Sequence, residues 1–132
     1  MNDRPAPDSP EAWLQRARSD LALARTVVDS GEVLREDVCF HAQQCAEKAL
    51  KALLIRLEIP YQRTHALEML LDLVKAAGVK IPQDVDLSFS LTQYAVETRY
   101  PGDWEPITEE ETRSAIEMAV TVLRWVEGQL GE

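Results

Sequence analysis

Two histidines, two cysteines and a band of polar side chains between residues 39 and 65 are where this chain could do chemistry. His41 and Cys45 stand four apart, an acceptable metal-ligand spacing on a helix, but zinc takes four ligands and only His65 is left to supply a third. No metal site is expected. Gln43, Gln44, Glu47, Lys48 and Lys51 follow helical spacing. Glu47 sits one turn before Lys51, so the plain expectation is a solvated pair worth about 0.3 kcal/mol. The functional alternative makes Gln44, Lys48 and Lys51 donors to a nucleotide phosphate or to an acidic partner. His65 follows Arg63 and Thr64, and it either fixes the turn through a backbone carbonyl or faces a ligand or partner subunit. A nearby cation and phosphate would then shift its charge across neutral pH. Arg99, Tyr100 and Trp104 are the other candidate group. Arg99 either meets the last carbonyls of its own helix or projects with Tyr100 and Trp104 as a platform for base and phosphate. Lys48, Lys51, Arg56 and Arg63, with Arg99, could form a cationic patch. The chain has no Gly-rich phosphate loop, so a nucleotide would be held by side chains and helix ends, with modest affinity.

Helices must position all of these groups. Ser9 is placed as an N-cap with Pro10 at the first helical position, and Trp13, Ala17, Leu21, Ala24 and Val28 make an apolar stripe that stops at Asp29, Ser30 and Gly31. Asp37 is the expected cap of a second helix running to about Leu57 or Glu58, before Pro60. On it Val38, Ala42, Cys45, Ala46, Ala49 and Leu53 share one face, while Phe40, Leu54 and Ile55 stand on the side that carries the polar band. Such a helix is covered from two directions. Thr64 is expected to cap a third helix carrying Leu67, Leu70, Leu71 and Val74, and Gly78 ends it. A fourth helix places Leu87, Leu91, Tyr94 and Ala95 on one side and must finish near Arg99, because Tyr100, Pro101 and Gly102 cannot continue it. Thr108 and Glu111 make a capping box for the fifth, whose stripe is Ala115, Ile116, Ala119, Val122, Leu123, Val126 and Leu130. The expected fold is all-α: an antiparallel up-down four-helix bundle with an additional short helix. Residues 10–132 form its single domain, behind a disordered, Pro-rich tail at residues 1–9, and Trp13 and Trp125 are buried on the Ala-lined face of the second helix.

With 132 residues, 45% of them hydrophobic, the chain can form one core without staples, and 5 Gly with 6% aromatics favours helix over sheet. Cys39 and Cys45, six apart on one helix, point roughly 120° away from each other and are expected as free thiols in a reducing cytoplasm. The first ten residues lack the apolar core of a signal peptide, and no run approaches the roughly 20 apolar residues of a membrane span. A net charge of −9 works against broad capture of nucleic acid or anionic lipid, though not against a local cationic site.

Three segments in order, CFHAQQCAEKALKALL from Cys39, THALEMLLDL from Thr64 and YAVETRYP from Tyr94, resemble the HEPN domain family over roughly residues 11–130. The resemblance implies an all-α bundle that forms a homodimer. It also implies a minimal nucleotidyltransferase encoded nearby as partner, in a two-component system of the toxin and antitoxin kind, and a capacity to bind nucleotide. One branch of the family consists of metal-independent ribonucleases whose signature is an Arg followed, after four to six residues, by a His. Such chemistry needs a base for the 2′-OH proton and a cation for the phosphate, both reaching one phosphate. Arg99 stands at the plausible place, and no His follows it. Arg35 and His41 have the spacing but lie where the second helix begins. The chain therefore resembles a non-nucleolytic member: a non-catalytic, cytoplasmic binding partner of a nucleotidyltransferase, with no cofactor. Gln44, Lys48 and Lys51 match the family's polar positions and, with Arg99 and Tyr100, are the candidate ligand- or nucleotide-binding residues. The alternatives are RNA cleavage using Arg99 or Arg63 with His65 across a dimer, or a pure helical scaffold.

Overall fold

A computed structural model describes residues 5–95 and 105–131. Ser9 opens α1 (Pro10–Val27) by accepting the Ala12 N–H on its side chain, with Pro10 at the position where a missing N–H is harmless. Ala12, Leu14, Ala17, Leu21 and Ala24 are its buried residues, and Trp13 is half-buried at the core margin.

α2 spans Arg35–Arg56 and starts earlier than an Asp37 cap would place it. Leu34 is the N-cap and offers no side-chain hydrogen bond, so Asp37 lies inside the first turn, where with Glu36 it complements the helix dipole. The helix ends at Arg56, ahead of Pro60 as expected. Glu58 takes a left-handed conformation (φ 58°), its N–H bonds to the Ile55 carbonyl, and the Ile59 N–H reaches back to Leu54. This is a Schellman motif with a glutamate where glycine is favoured.

α3 (Leu67–Ala76) begins after an N-cap at Ala66, not at Thr64. Thr64 serves it from just upstream by accepting the Ala66 N–H, and Thr92 accepts the Leu67 N–H from across the fold. The expected fourth helix is a single turn, α4 (Gln83–Asp86), followed by a 3-10 helix at Leu87–Tyr94. The reason is in the spacing: Ser88, Leu91 and Tyr94 are buried three apart, the repeat of a 3-10 helix, while Leu87 is half exposed. Thr108 caps α5 (Glu109–Leu130) through the Glu111 N–H. The Glu111 carboxylate accepts from the Tyr94 hydroxyl at 2.7 Å, so it pins the 3-10 helix to α5. No strand occurs among the described residues.

α2 is the centre of the molecule. It packs most extensively on α1, next on α5, and also against α3 and the 3-10 helix. Arg35 near Ile107 and Cys45 near Ala119 show that α5 runs parallel to α2, and Arg18 on Glu127 with Arg113 on Asp29 shows that it runs antiparallel to α1. Ala42, Cys45, Ala46 and Ala49 are fully buried, which lets neighbouring helices approach closely on that side. Leu50, Leu53 and Leu54 close the core elsewhere around the same helix. Trp125, like Trp13, packs half-buried at the edge of this core and not within it.

Candidate functional site

α2 carries most of the polar groups singled out above, and it turns them inward. Gln43 and Glu47 stand in one line with Leu50 and Leu54, and all four are buried. Glu47, 2% exposed, accepts hydrogen bonds on both oxygens. Lys51 Nζ donates to Oε2 at 2.8 Å, and His65 Nδ1 meets Oε1 at 2.8 Å. Gln43 Nε2 adds a donor at 3.1 Å and Gln44 Nε2 one at 3.4 Å. Burial alone would push the Glu47 carboxyl up, but hydrogen bonds from Lys51, His65 and Gln43 outweigh it and hold the group below its ordinary range.

Asp20 on α1 repeats the pattern one turn away. Its Oδ1 pairs with His41 Nδ1 at 2.9 Å and its Oδ2 with Lys48 Nζ at 2.6 Å. Each carboxylate is thus clamped between an imidazole and an ammonium. Lys51 has further cover: its ammonium lies 5.4 Å from the Trp13 ring centroid and 5.9 Å from that of Tyr61, a cation held between two aromatic faces. Gln43 completes the tie by donating to the His65 carbonyl at 3.0 Å while its own side-chain oxygen accepts from Gln44. The loop after α2 is therefore fastened to α2 through both the backbone and the side chain of His65.

The expected surface pair of Glu47 and Lys51 exists, but as a buried one. His65 uses a carboxylate, where a backbone carbonyl was the simple expectation. A carboxylate acceptor requires Nδ1 to carry the proton, which leaves Nε2 without a protein partner among the described residues, on a side chain 67% exposed. Arg35 and His41, the pair with ribonuclease spacing, are separately engaged: Arg35 donates to the Ile107 carbonyl at 3.0 Å and His41 binds Asp20. Cys45 is no partner for His41. Its thiol is aimed at the Ala119 carbonyl, and burial, assisted by the charge of Asp20, pushes its pKa up to about 12. Among the described residues no three His, Cys, Asp or Glu are grouped to hold a metal ion. Arg63 is exposed in the loop. Arg99, Tyr100 and Trp104, the second candidate group, lie outside the described residues. Beside the loop runs a cleft of about 470 Å³ lined chiefly by Pro60, Tyr61, Thr64, Met69, Asp72 and Leu73.

Asp20 is the member that sequence reasoning passed over, and Gln43 was named in the polar band without a role of its own. The signal was available for both. Asp20 lies three residues after Ala17 and four before Ala24, on the margin of the α1 stripe, and Gln43 starts a four-three-four line through Glu47, Leu50 and Leu54.

These features agree with what the chain is similar to. The model of the HEPN domain matches residues 10–129, and the chain belongs to that family. Among solved structures, ST0689, described as an archaeal HEPN homologue, is 33% identical, with 92% of this chain and 97% of that one covered at a TM-score of 0.73. TT1696 from Thermus thermophilus is 30% identical over 92% and 98% of the two chains, with a TM-score of 0.78. A HEPN domain protein from Thermotoga maritima, tm0613, is 21% identical over 91% and 98%, with a TM-score of 0.73, and shares the fold. No curated protein matches the chain. No helix among the described residues is long and apolar enough to cross a membrane.

Proposed function

We propose that this HEPN-domain protein is a non-catalytic binding subunit whose partner is a minimal nucleotidyltransferase. One observation carries the reading: the imidazoles and ammonium groups that could act on a phosphate are already spent on two internal carboxylates, Asp20 and Glu47. A nucleotide phosphate reaching Lys48 or Lys51 would have to displace a paired and largely buried carboxylate. Any nucleotide therefore binds weakly, and recognition of a protein partner is the main task. The identity of that partner class comes from the family resemblance.

A second reading is favoured by one feature. Glu47 orients His65 with Nε2 outward, the arrangement a general base requires, so RNA cleavage with His65 as the base for the 2′-OH proton is the competing activity. One set of assays separates the two. The wild-type chain and His65→Ala are each mixed with the nucleotidyltransferase and run on a sizing column with light scattering, and each is incubated with single-stranded RNA in chelator. The binding reading expects a stable complex with both and intact RNA with both. RNA cleavage by the wild type that disappears in a folded His65→Ala, with no complex formed, would overturn it.

A further inference from the structure

α1 and α5 both lean on α2 and touch each other less, and their antiparallel seam is closed at its ends by exposed ion pairs. Arg18 meets Glu127 at 2.6 Å at one end, and Arg113 meets Asp29 at 3.0 Å at the other. Between them lies a shallow groove of about 250 Å³. Its floor is Leu21 and Ala22 from α1 with Val120 and Leu123 from α5, and Arg25 and Arg124 stand on its rims. Both arginines are exposed, and neither forms an ion pair among the described residues. On a chain of net charge −9, this groove gathers three guanidinium groups against the single carboxylate of Glu127.

We infer that this groove docks an acidic amphipathic helix of the nucleotidyltransferase partner. The partner's apolar side chains would sit on Leu21, Ala22, Val120 and Leu123, and its carboxylates on Arg25 and Arg124. The inference rests on the partner reading above and adds the surface that serves it. Helices recognised in grooves present an apolar face with charged flanks, and this groove is the complement of that pattern. Charge decides between occupants. A nucleic acid strand needs a run of cations along its backbone and gains nothing from an aliphatic floor, and the strongly negative remainder of the molecule repels it. A carboxylate-flanked helix uses floor and rims together, and paired arginine contacts steer its approach as well as hold it.

The test uses the full chain and the purified nucleotidyltransferase, with affinity measured by calorimetry. Arg25→Glu with Arg124→Glu is expected to weaken the complex by about 100-fold, the scale of placing like charges across an interface. The milder pair Arg25→Gln with Arg124→Gln guards against a folding defect and is expected to weaken it by about 10-fold, with an unchanged melting temperature. Lys75→Glu with Lys80→Glu makes the same change in net charge at the far end of α3, away from the groove, and is expected to leave affinity within about twofold, because distant exposed charges are screened. If the wild type binds and the groove variants bind equally well, the groove assignment is wrong and the partner reading stands. Failure of the wild type to bind at all overturns the partner reading and the docking inference together. Two other results also overturn the inference: groove variants that turn a dimer of the chain alone into monomers, or that abolish binding of single-stranded RNA.

Discussion

Replacing Glu47 by Gln probes the buried clamp with the least change of shape. The amide keeps the volume and can still accept on one oxygen, but it removes the charge that faces Lys51 at 2.8 Å and turns one acceptor into a donor toward existing donors. The Lys51 side chain is only 10% exposed, so its ammonium would be left without a counter-charge in a place water hardly reaches. Removing one partner of a buried pair costs about 3–5 kcal/mol. The Trp13 and Tyr61 faces offset part of this, by about 1 kcal/mol for a partly desolvated cation. A net loss of about 3 kcal/mol remains, equivalent at this chain length to a fall of roughly 10 °C in Tm. Urea unfolding followed by circular dichroism at pH 7 measures it. Adding Lys51→Met should recover much of the loss, since exchanging both charges for matched neutral groups is close to neutral. A Glu47→Gln protein within about 0.5 kcal/mol of wild type, the range of ordinary surface changes, would refute the clamp.

Other expectations follow from neighbouring features. Because the Glu47 carboxyl is held below its ordinary value of 4.5, its contribution is fully present above that pH and is lost as pH falls through the lower folded value. The acid arm of the stability curve should accordingly flatten in Glu47→Gln, and an unchanged arm would count against it. Glu58→Gly relieves a left-handed residue at the end of α2 and should stabilise by about 1 kcal/mol, read as a higher urea midpoint at constant slope. Cys45, with its thiol pushed up to about 12 and fully buried, should resist a disulfide-exchange reagent at pH 8 until the protein is unfolded. Fast labelling in the native state would contradict that burial.

The helices with a one-sided apolar stripe were legible from spacing, because burial and period coincide there. α1 with its Ser9 and Pro10 start and α5 with its Thr108 cap are placed by local rules that need no tertiary partner. The two-sided cover of α2 was legible for a related reason: alanine and leucine surround it where a surface helix would carry charge. The 3-10 segment was not. A repeat of three differs little from one of 3.6 over eight residues, and the bond from the Leu67 N–H to the Thr92 hydroxyl, which ties the segment down, forms only once α3 is in place beside it. The clamps were hidden for a stronger reason. Glu47 and Lys51 at one-turn spacing read as a surface pair in any helix, and only the arrival of Trp13, Tyr61 and His65 from outside that helix removes the water. Asp20 and His41 meet across 21 residues in the same way.

The claim on which the functional account rests is that both imidazoles donate from Nδ1 to internal carboxylates and so belong to the architecture. Nitrogen-15 NMR of the two histidine rings at one mildly alkaline pH tests it directly. Both rings should carry the proton on Nδ1, with the His65 signals responding to Glu47→Gln and those of His41 to Asp20→Asn. Mixed tautomers indifferent to either substitution would contradict it.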